Sequence, residues 1–337
     1  MDSIRSVIKV NRPKIADSSL KTYTSIVGNL YKKVAGNDDL SKALVYFKKN
    51  TKEVIKFLGD MPSGKRKTIL ASLVVFTEKD EDAADRYRTL MLEDKKVYDE
   101  GEKDQLMTEK QKESWVTQDE VKDLWNRMDK ENRPLLSRES LKERELQQLQ
   151  NFVILSLYYL QPPRRLKDYT EMKIREVDEA KDNFYKKDKL VFNVYKTAKT
   201  HGKEEVNLNP KLKFILNKWK TLNTADYLLV SVGGKKLSSS QLQQRLNTIL
   251  GKKASVNILR HSFLSEKYKD LPALRELEER AGDMGHTLDQ ALLYVKRDAP
   301  AAPAEAPAEA PAPVAKKTVK RKIQKSGSRV RAKDETA

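Results

Sequence analysis

The chain has no cysteine. That excludes disulfides and every zinc site built on thiolates. Histidine is nearly absent, with three in 337 residues, so a His-rich metal centre is not expected and no cofactor is implied. No apolar run approaches the roughly 20 residues that a membrane-spanning helix needs. The first residues, MDSIRSVIKVNRPK, lack the apolar stretch of a secretory signal. An intracellular setting without membrane partners is the expectation. Acidic residues are in deficit, 49 Asp and Glu against 67 Lys and Arg.

What is present is charge. Formal net charge is +18 and mean hydropathy is −0.72. Such an excess attracts polyanions through counterion release. The functional reading is nucleic-acid binding, and the plain one is a solvated basic surface. Residues 299–337 hold nine Lys and Arg and four Asp and Glu, so that segment carries 9 − 4 = +5 and the rest of the chain +13. At 337 residues the chain is too long for one ordinary core and suits two domains plus a tail.

Residues 1–110 read as several helices. In 18–35 the apolar positions Leu20, Tyr23, Ile26, Val27, Leu30 and Val34 share one helical face, with Ser18 or Ser19 as N-cap. Further helices are expected at 50–58 and 63–77. Residues 80–114 are highly charged and read as a helix followed by a linker. A second unit, 115–297, opens with a capping box of Thr117 and Glu120. An apolar helix at 145–160 stops at Pro162-Pro163. Alternation in KLVFNVYKT and EEVNLN around His201-Gly202 predicts a β-hairpin. Helices are expected at about 210–221, 238–250, 257–268 and 287–297. Residues 298–337 begin with a Pro/Ala/Glu spacer and end in the basic run KKTVKRKIQKSGSRVRAK, expected to be disordered and to bind phosphates nonspecifically. KKTVKRK also has the composition of a nuclear localisation signal. The fold class expected is mainly α with a small antiparallel β-sheet or hairpin (α+β).

Four strings in the second unit carry chemistry: PPRRLKDY (162–169), VYKTAKTHGKEEVNL (194–208), VNILRHSFLS (256–265) and MGHTLDQALLYVK (284–296). Together they resemble the catalytic half of tyrosine recombinases, the phage-integrase family. The opening TYTSIVGNLYKKV resembles that family's core-binding domain more loosely. The tail lies outside the resemblance.

Position by position, the resemblance implies a site. Arg165 and Arg260 would grip the nonbridging oxygens of a scissile phosphate, a task for always-charged planar guanidiniums. Asp168, three residues after Arg165, would orient it. Lys196, expected on a strand running into the hairpin, would protonate the leaving 5′-oxygen. His286 would hydrogen-bond the phosphate. Tyr294, eight residues on, would attack phosphorus and form a 3′-phosphotyrosyl link, so neither metal nor ATP is needed. Asn257 departs from the family, which has His or Lys at that position; an amide cannot move a proton at neutral pH. Arg164 rivals Arg165, and Lys199 rivals Lys196. His261 could substitute as base but is expected to point inward beside Phe263 as a structural histidine.

The implied function is a site-specific DNA recombinase or integrase of a mobile element or large DNA virus. It would act on double-stranded DNA as a homotetramer on two sites, in the nucleus or cytoplasm of a host cell or carried in a virion. Two alternatives stand beside it: a type IB topoisomerase-like DNA-relaxing enzyme, and a catalytically decayed DNA-binding or packaging protein. If the tail binds phosphates, deleting 299–337 lowers nonspecific duplex affinity. It also flattens the slope of log K against log salt, by about 0.9 for each phosphate that the tail had neutralised. Titrations at several salt concentrations check this.

Overall fold

A computed structural model describes residues 1–294. The expected tail at 298–337 and residues 295–297 lie outside the described residues. The described chain is mainly helical with one small four-stranded sheet. Most of its buried apolar residues fall in two clusters.

The first cluster is enclosed by α1 (Asp2–Asn11), α2 (Asp17–Ala35), a 3-10 turn (Leu40–Lys42), α3 (Ala43–Lys49), α4 (Thr51–Leu58), α5 (Ser63–Thr77) and α6 (Glu81–Glu102). The stripe on α2 is as the periodicity predicts. Leu20, Val27 and Leu30 are buried, while Tyr23, Ile26 and Val34 are half-buried at its margin. Thr24, Gly28 and Tyr31 complete the buried face. Gly28 permits a close crossing of α1, since a Cβ there would meet Met1 Sδ at 2.8 Å and approach Ile4. The expected serine N-cap is not used. α2 starts one residue earlier, at Asp17, with Ala16 as N-cap and no side-chain cap; Asp17 instead places a carboxylate in the first turn, where the helix dipole favours it.

α5 and α6 are clasped by charge. Asp94 on α6 is buried, and Arg66 on α5 grips it with two bonds, Nε–Oδ2 at 2.8 Å and Nη2–Oδ1 at 2.6 Å. The remaining Nη1 donates to the Gly59 carbonyl at 2.7 Å.

The linker holds a short helix, α7 (Glu109–Ser114), capped by Thr108 and Gln111. α8 (Gln118–Leu136) then begins at the predicted capping box. Glu120 N–H donates to Thr117 Oγ1 at 3.1 Å, and Thr117 N–H donates to Glu120 Oε2 at 2.6 Å. α9 (Glu143–Tyr159) is the central helix of the second cluster. Residues Phe152 through Tyr158 are all buried, as a helix apolar on every side requires. Trp125 of α8 donates to Ser156 Oγ at 2.9 Å, and the Gln150 amide bonds both N–H and C=O of Val230, while the buried Tyr158 hydroxyl has no partner among the described residues.

After α10 (Leu166–Thr170) come β1 (Met172–Lys173), β2 (Asn183–Lys186), β3 (Lys189–Phe192), α11 (Ala198–His201) and β4 (Glu204–Asn207). Strand order is β1-β2-β3-β4. The predicted hairpin is β3–β4, pairing Phe192 with Glu204 and Lys189 with Asn207. β2 and β3 are also antiparallel, whereas the short β1 joins β2 in parallel, so the sheet is mixed. α12 (Pro210–Leu222), α13 (Ser239–Leu250), α14 (Val256–Lys267), α15 (Leu274–Asp283) and α16 (Leu288–Tyr294) follow. The start of α15 touches the end of α6 and the linker. Arg275 Nε meets Asp104 Oδ1 at 2.5 Å, Lys103 meets Glu278 at 2.9 Å, and the Leu274 N–H donates to Gln105 Oε1 at 3.0 Å.

Asp94→Ala leaves the Arg66 fork without its partner. Chemical denaturation is expected to show a loss of about 3 kcal/mol, as for other broken buried pairs.

Candidate active site

The apolar α9 cannot continue through Pro162-Pro163, so the chain leaves the core there and re-enters helix at α10, with Arg165 in the N-cap position. This break presents two successive arginines at one edge of the sheet. Their fates differ.

Arg164 is engaged by two carboxylates and two rings. Its Nε donates to Asp168 Oδ2 at 3.3 Å and its Nη1 to Glu204 Oε2 at 2.7 Å. Its guanidinium lies 3.8 Å from the Phe192 ring centroid and 5.4 Å from that of Tyr195. Arg165 has no side-chain hydrogen bond or ion pair among the described residues, and the residue is half-buried. The carboxylate at 168 therefore holds Arg164, and not Arg165 as the sequence spacing implies. Asp168 touches Arg165 only through the backbone, its N–H donating to the Arg165 carbonyl at 3.0 Å. Arg164, four residues before Asp168, bonds its carboxylate directly, while the Arg165 guanidinium acts on it through charge alone.

Asp168 is 2% exposed. Burial raises its carboxyl pKa above the ordinary range, and the Arg164 charge opposes that rise. At Glu204 burial works against ionisation too, but the hydrogen bond and charge of Arg164 oppose it and the pKa is lowered.

Arg165 and Arg260 line one cavity of about 310 Å³, together with Gln161, Arg164, Asp168 and Tyr195. Arg260 comes from the second turn of α14, whose buried face is Val256, Ile258, Leu259 and Ser262. That face leaves Arg260 half-buried at its margin, with no side-chain partner among the described residues. Two unpaired guanidiniums from distant segments thus converge on one space. The carbonyl oxygen of the Gln161 side chain is buried and has no partner among the described residues. Its amide nitrogen donates to the Tyr169 hydroxyl at 2.6 Å.

The lysines sit differently from expectation. Lys196 is in a turn, not on a strand. β3 ends at Phe192 because the Asn183 side chain replaces the ladder: its Oδ1 accepts from the N–H of Asn193 and Val194, and its Nδ2 donates to the Val194 carbonyl. Lys196 and Lys199 stand on the solvent side of this turn, without side-chain partners among the described residues. Thr197, between them, lines the cavity. Lys196 therefore stands on the turn and Lys199 on the α11 that follows it, and neither lines the cavity.

Asn257 is exposed on the first turn of α14 and does not line the cavity. His261 is also exposed, contrary to the inward position expected; it falls a third of a turn from the buried face that Ser262 occupies. Ser262 accepts from Gln118 Nε2 at 2.9 Å, tying α14 to α8.

His286 and Tyr294 form a second group. Gly285 takes a left-handed conformation, φ 73°, and reverses the chain after α15; the His286 N–H then donates to the Ala281 carbonyl at 2.9 Å. The His286 and Tyr294 rings stack at 5.0 Å between centroids and 10° between planes. His286 Nδ1 is buried with no partner among the described residues, whereas Tyr294 is 64% exposed. Neither residue lines the arginine cavity. Sequence reasoning misses Gln161, Tyr195 and Glu204. Only Glu204 leaves a trace, as an acid opening the second strand of the hairpin.

No family model and no curated protein matches the chain. Among solved structures it is similar to the crystal structure of XerA recombinase, over 88% of this chain and 94% of that one, at 14% identity and a TM-score of 0.33. A likeness this weak decides neither fold nor function.

The two neighbouring arginines should separate on substitution. Arg164→Ala strands a buried carboxylate and is expected to cost about 3 kcal/mol. Arg165→Ala should change stability by no more than about 0.5 kcal/mol. Denaturant unfolding of both variants tests the assignment.

Proposed function

We propose that this protein is a site-specific DNA recombinase that cuts and rejoins double-stranded DNA through a 3′-phosphotyrosyl intermediate. The observation that carries the reading is the convergence of Arg165 and Arg260, both unpaired among the described residues, on one cavity. An unpaired, half-buried cation is costly unless an anion completes it. Two of them suit the two nonbridging oxygens of a phosphodiester. The excess of basic residues supports a polyanionic substrate.

On this reading Arg165 and Arg260 offset the charge that grows on the pentavalent phosphate. His286 adds a hydrogen bond. The Tyr294 oxygen attacks phosphorus, the P–O5′ bond breaks, and a lysine of the 196–203 turn gives the departing oxygen its proton. The tyrosyl proton goes to solvent, which reaches the exposed Tyr294; Asn257 cannot accept it. A second strand's 5′-hydroxyl reverses the step, so bond energy is kept in the phosphotyrosine. Because Tyr294 lies outside the cavity, cleavage requires α16 of this chain or of a second copy to carry it to the held phosphate. Exchange between two duplexes uses a homotetramer on two DNA sites. That same separation favours the other reading, a DNA-binding protein without cleavage.

Covalent trapping tests this. Nicked duplexes of randomised sequence, whose short cleaved fragment escapes, are expected to yield SDS-resistant adducts of one preferred sequence. Tyr294→Phe should abolish adducts while keeping duplex binding, and Arg165→Ala or Arg260→Ala should slow their formation by about 10²–10³-fold. Adducts of no preferred sequence point to a DNA-relaxing enzyme, and tight binding without adducts to the DNA-binding reading.

A further inference from the structure

We propose that Arg164 is a positioning residue for the proton-donating lysine, holding the 196–203 turn at a set distance from Arg165. This rests on the recombinase reading above.

Within the segment, α11 is held by its own backbone hydrogen bonds and Ala198 packs on the core. The β3–β4 ladder stops at Phe192 and Glu204, and neither Lys196 nor Lys199 has a side-chain partner among the described residues. Both ends of the turn nevertheless meet at one guanidinium. At its start Tyr195 lies against the face of Arg164; at its end Glu204 accepts from Arg164 Nη1 at 2.7 Å. Tyr195 Oη also donates to the Gly202 carbonyl at 2.9 Å, which closes the turn on itself. Gly202 has φ 70°, a conformation that lets the chain double back there.

On its other side the same guanidinium reaches Asp168 of α10 and stacks on Phe192 of β3. Arg164 thus joins α10, β3 and β4, and its immediate neighbour is Arg165. The separation between a phosphate held by Arg165 and an ammonium on the turn is transmitted through this side chain, beside the backbone link that Asn183 makes between Asp168 and Val194. Lysine could not do the same. A point charge cannot bond two carboxylates in a fixed fork while its plane stacks on aromatic rings. A misplacement of about 1 Å at a reacting group can cost on the order of 10²-fold in rate.

The distinguishing test is the leaving group. A 5′-bridging sulfur departs as a thiolate and needs no proton, whereas oxygen does. Full-length protein would be assayed for adduct formation on nicked duplexes carrying either atom, at the sequence that trapping selects. Arg164→Lys and Glu204→Gln are expected to slow the oxygen substrate by about 100-fold yet cleave the sulfur substrate at nearly the wild-type rate. Lys196→Ala or Lys199→Ala should share that signature, whereas Arg165→Ala should slow both substrates. Equal slowing of both substrates by Arg164→Lys and Glu204→Gln, slowing of neither, or sulfur rescue in neither lysine variant would overturn the proposal. Glu204→Gln keeps the Arg164–Asp168 pair and decides the matter alone if Arg164→Lys does not fold. Absence of adducts from wild-type protein on both substrates would instead overturn the recombinase reading.

Discussion

A carboxylate closed off from water must find a cation, and at Asp168 that need organises the second half of the molecule. Arg164 meets it. In doing so it draws Glu204 and the rings of Phe192 and Tyr195 around a single guanidinium. The Pro-Pro break, the start of α10 and the two strands of the hairpin are joined at that point. Arg165, next in the chain, is left with no acid to bind among the described residues. Its freedom is a consequence of its neighbour's engagement.

The same logic separates paired from unpaired charge elsewhere. Arg66 is occupied by Asp94, and Lys103 and Arg275 are occupied by acids between α6 and α15. In a chain with 67 Lys and Arg, composition says little about any one of them. What marks Arg165 and Arg260 is the combination of partial burial, a shared cavity and no partner among the described residues. Lys196 and Lys199, both exposed, lack that mark.

Long apolar helices are legible in the sequence alone. The α2 stripe, α5 at 63–77, the all-apolar stretch of α9 and its stop at Pro162-Pro163 are as the pattern predicts, because burial of a face imposes a period on the residues that form it. The Thr117–Glu120 capping box is legible for a local reason too: both its hydrogen bonds lie within four residues. The pattern misleads where a distant or unexpected group decides the outcome. Alternation carries the strand after Lys189 through Lys196, yet the Asn183 side chain cuts the ladder at Phe192. An inward His261 is the expectation beside Phe263, but the face of α14 that packs on its neighbours turns it to solvent.

By itself the sequence determined the helical periods, the capping box, the excess of positive charge and the order of Arg165, Lys196, Arg260, His286 and Tyr294 along the chain. These are properties of residue type and spacing, which local physics reads directly. Only the tertiary structure decided that Asp168 belongs to Arg164, that Arg165 and Arg260 share a cavity, and that His286 and Tyr294 stack apart from it. Those outcomes depend on how the surrounding segments pack, as Glu204, Phe192 and Tyr195 do around Arg164, and one-dimensional spacing carries no such distance.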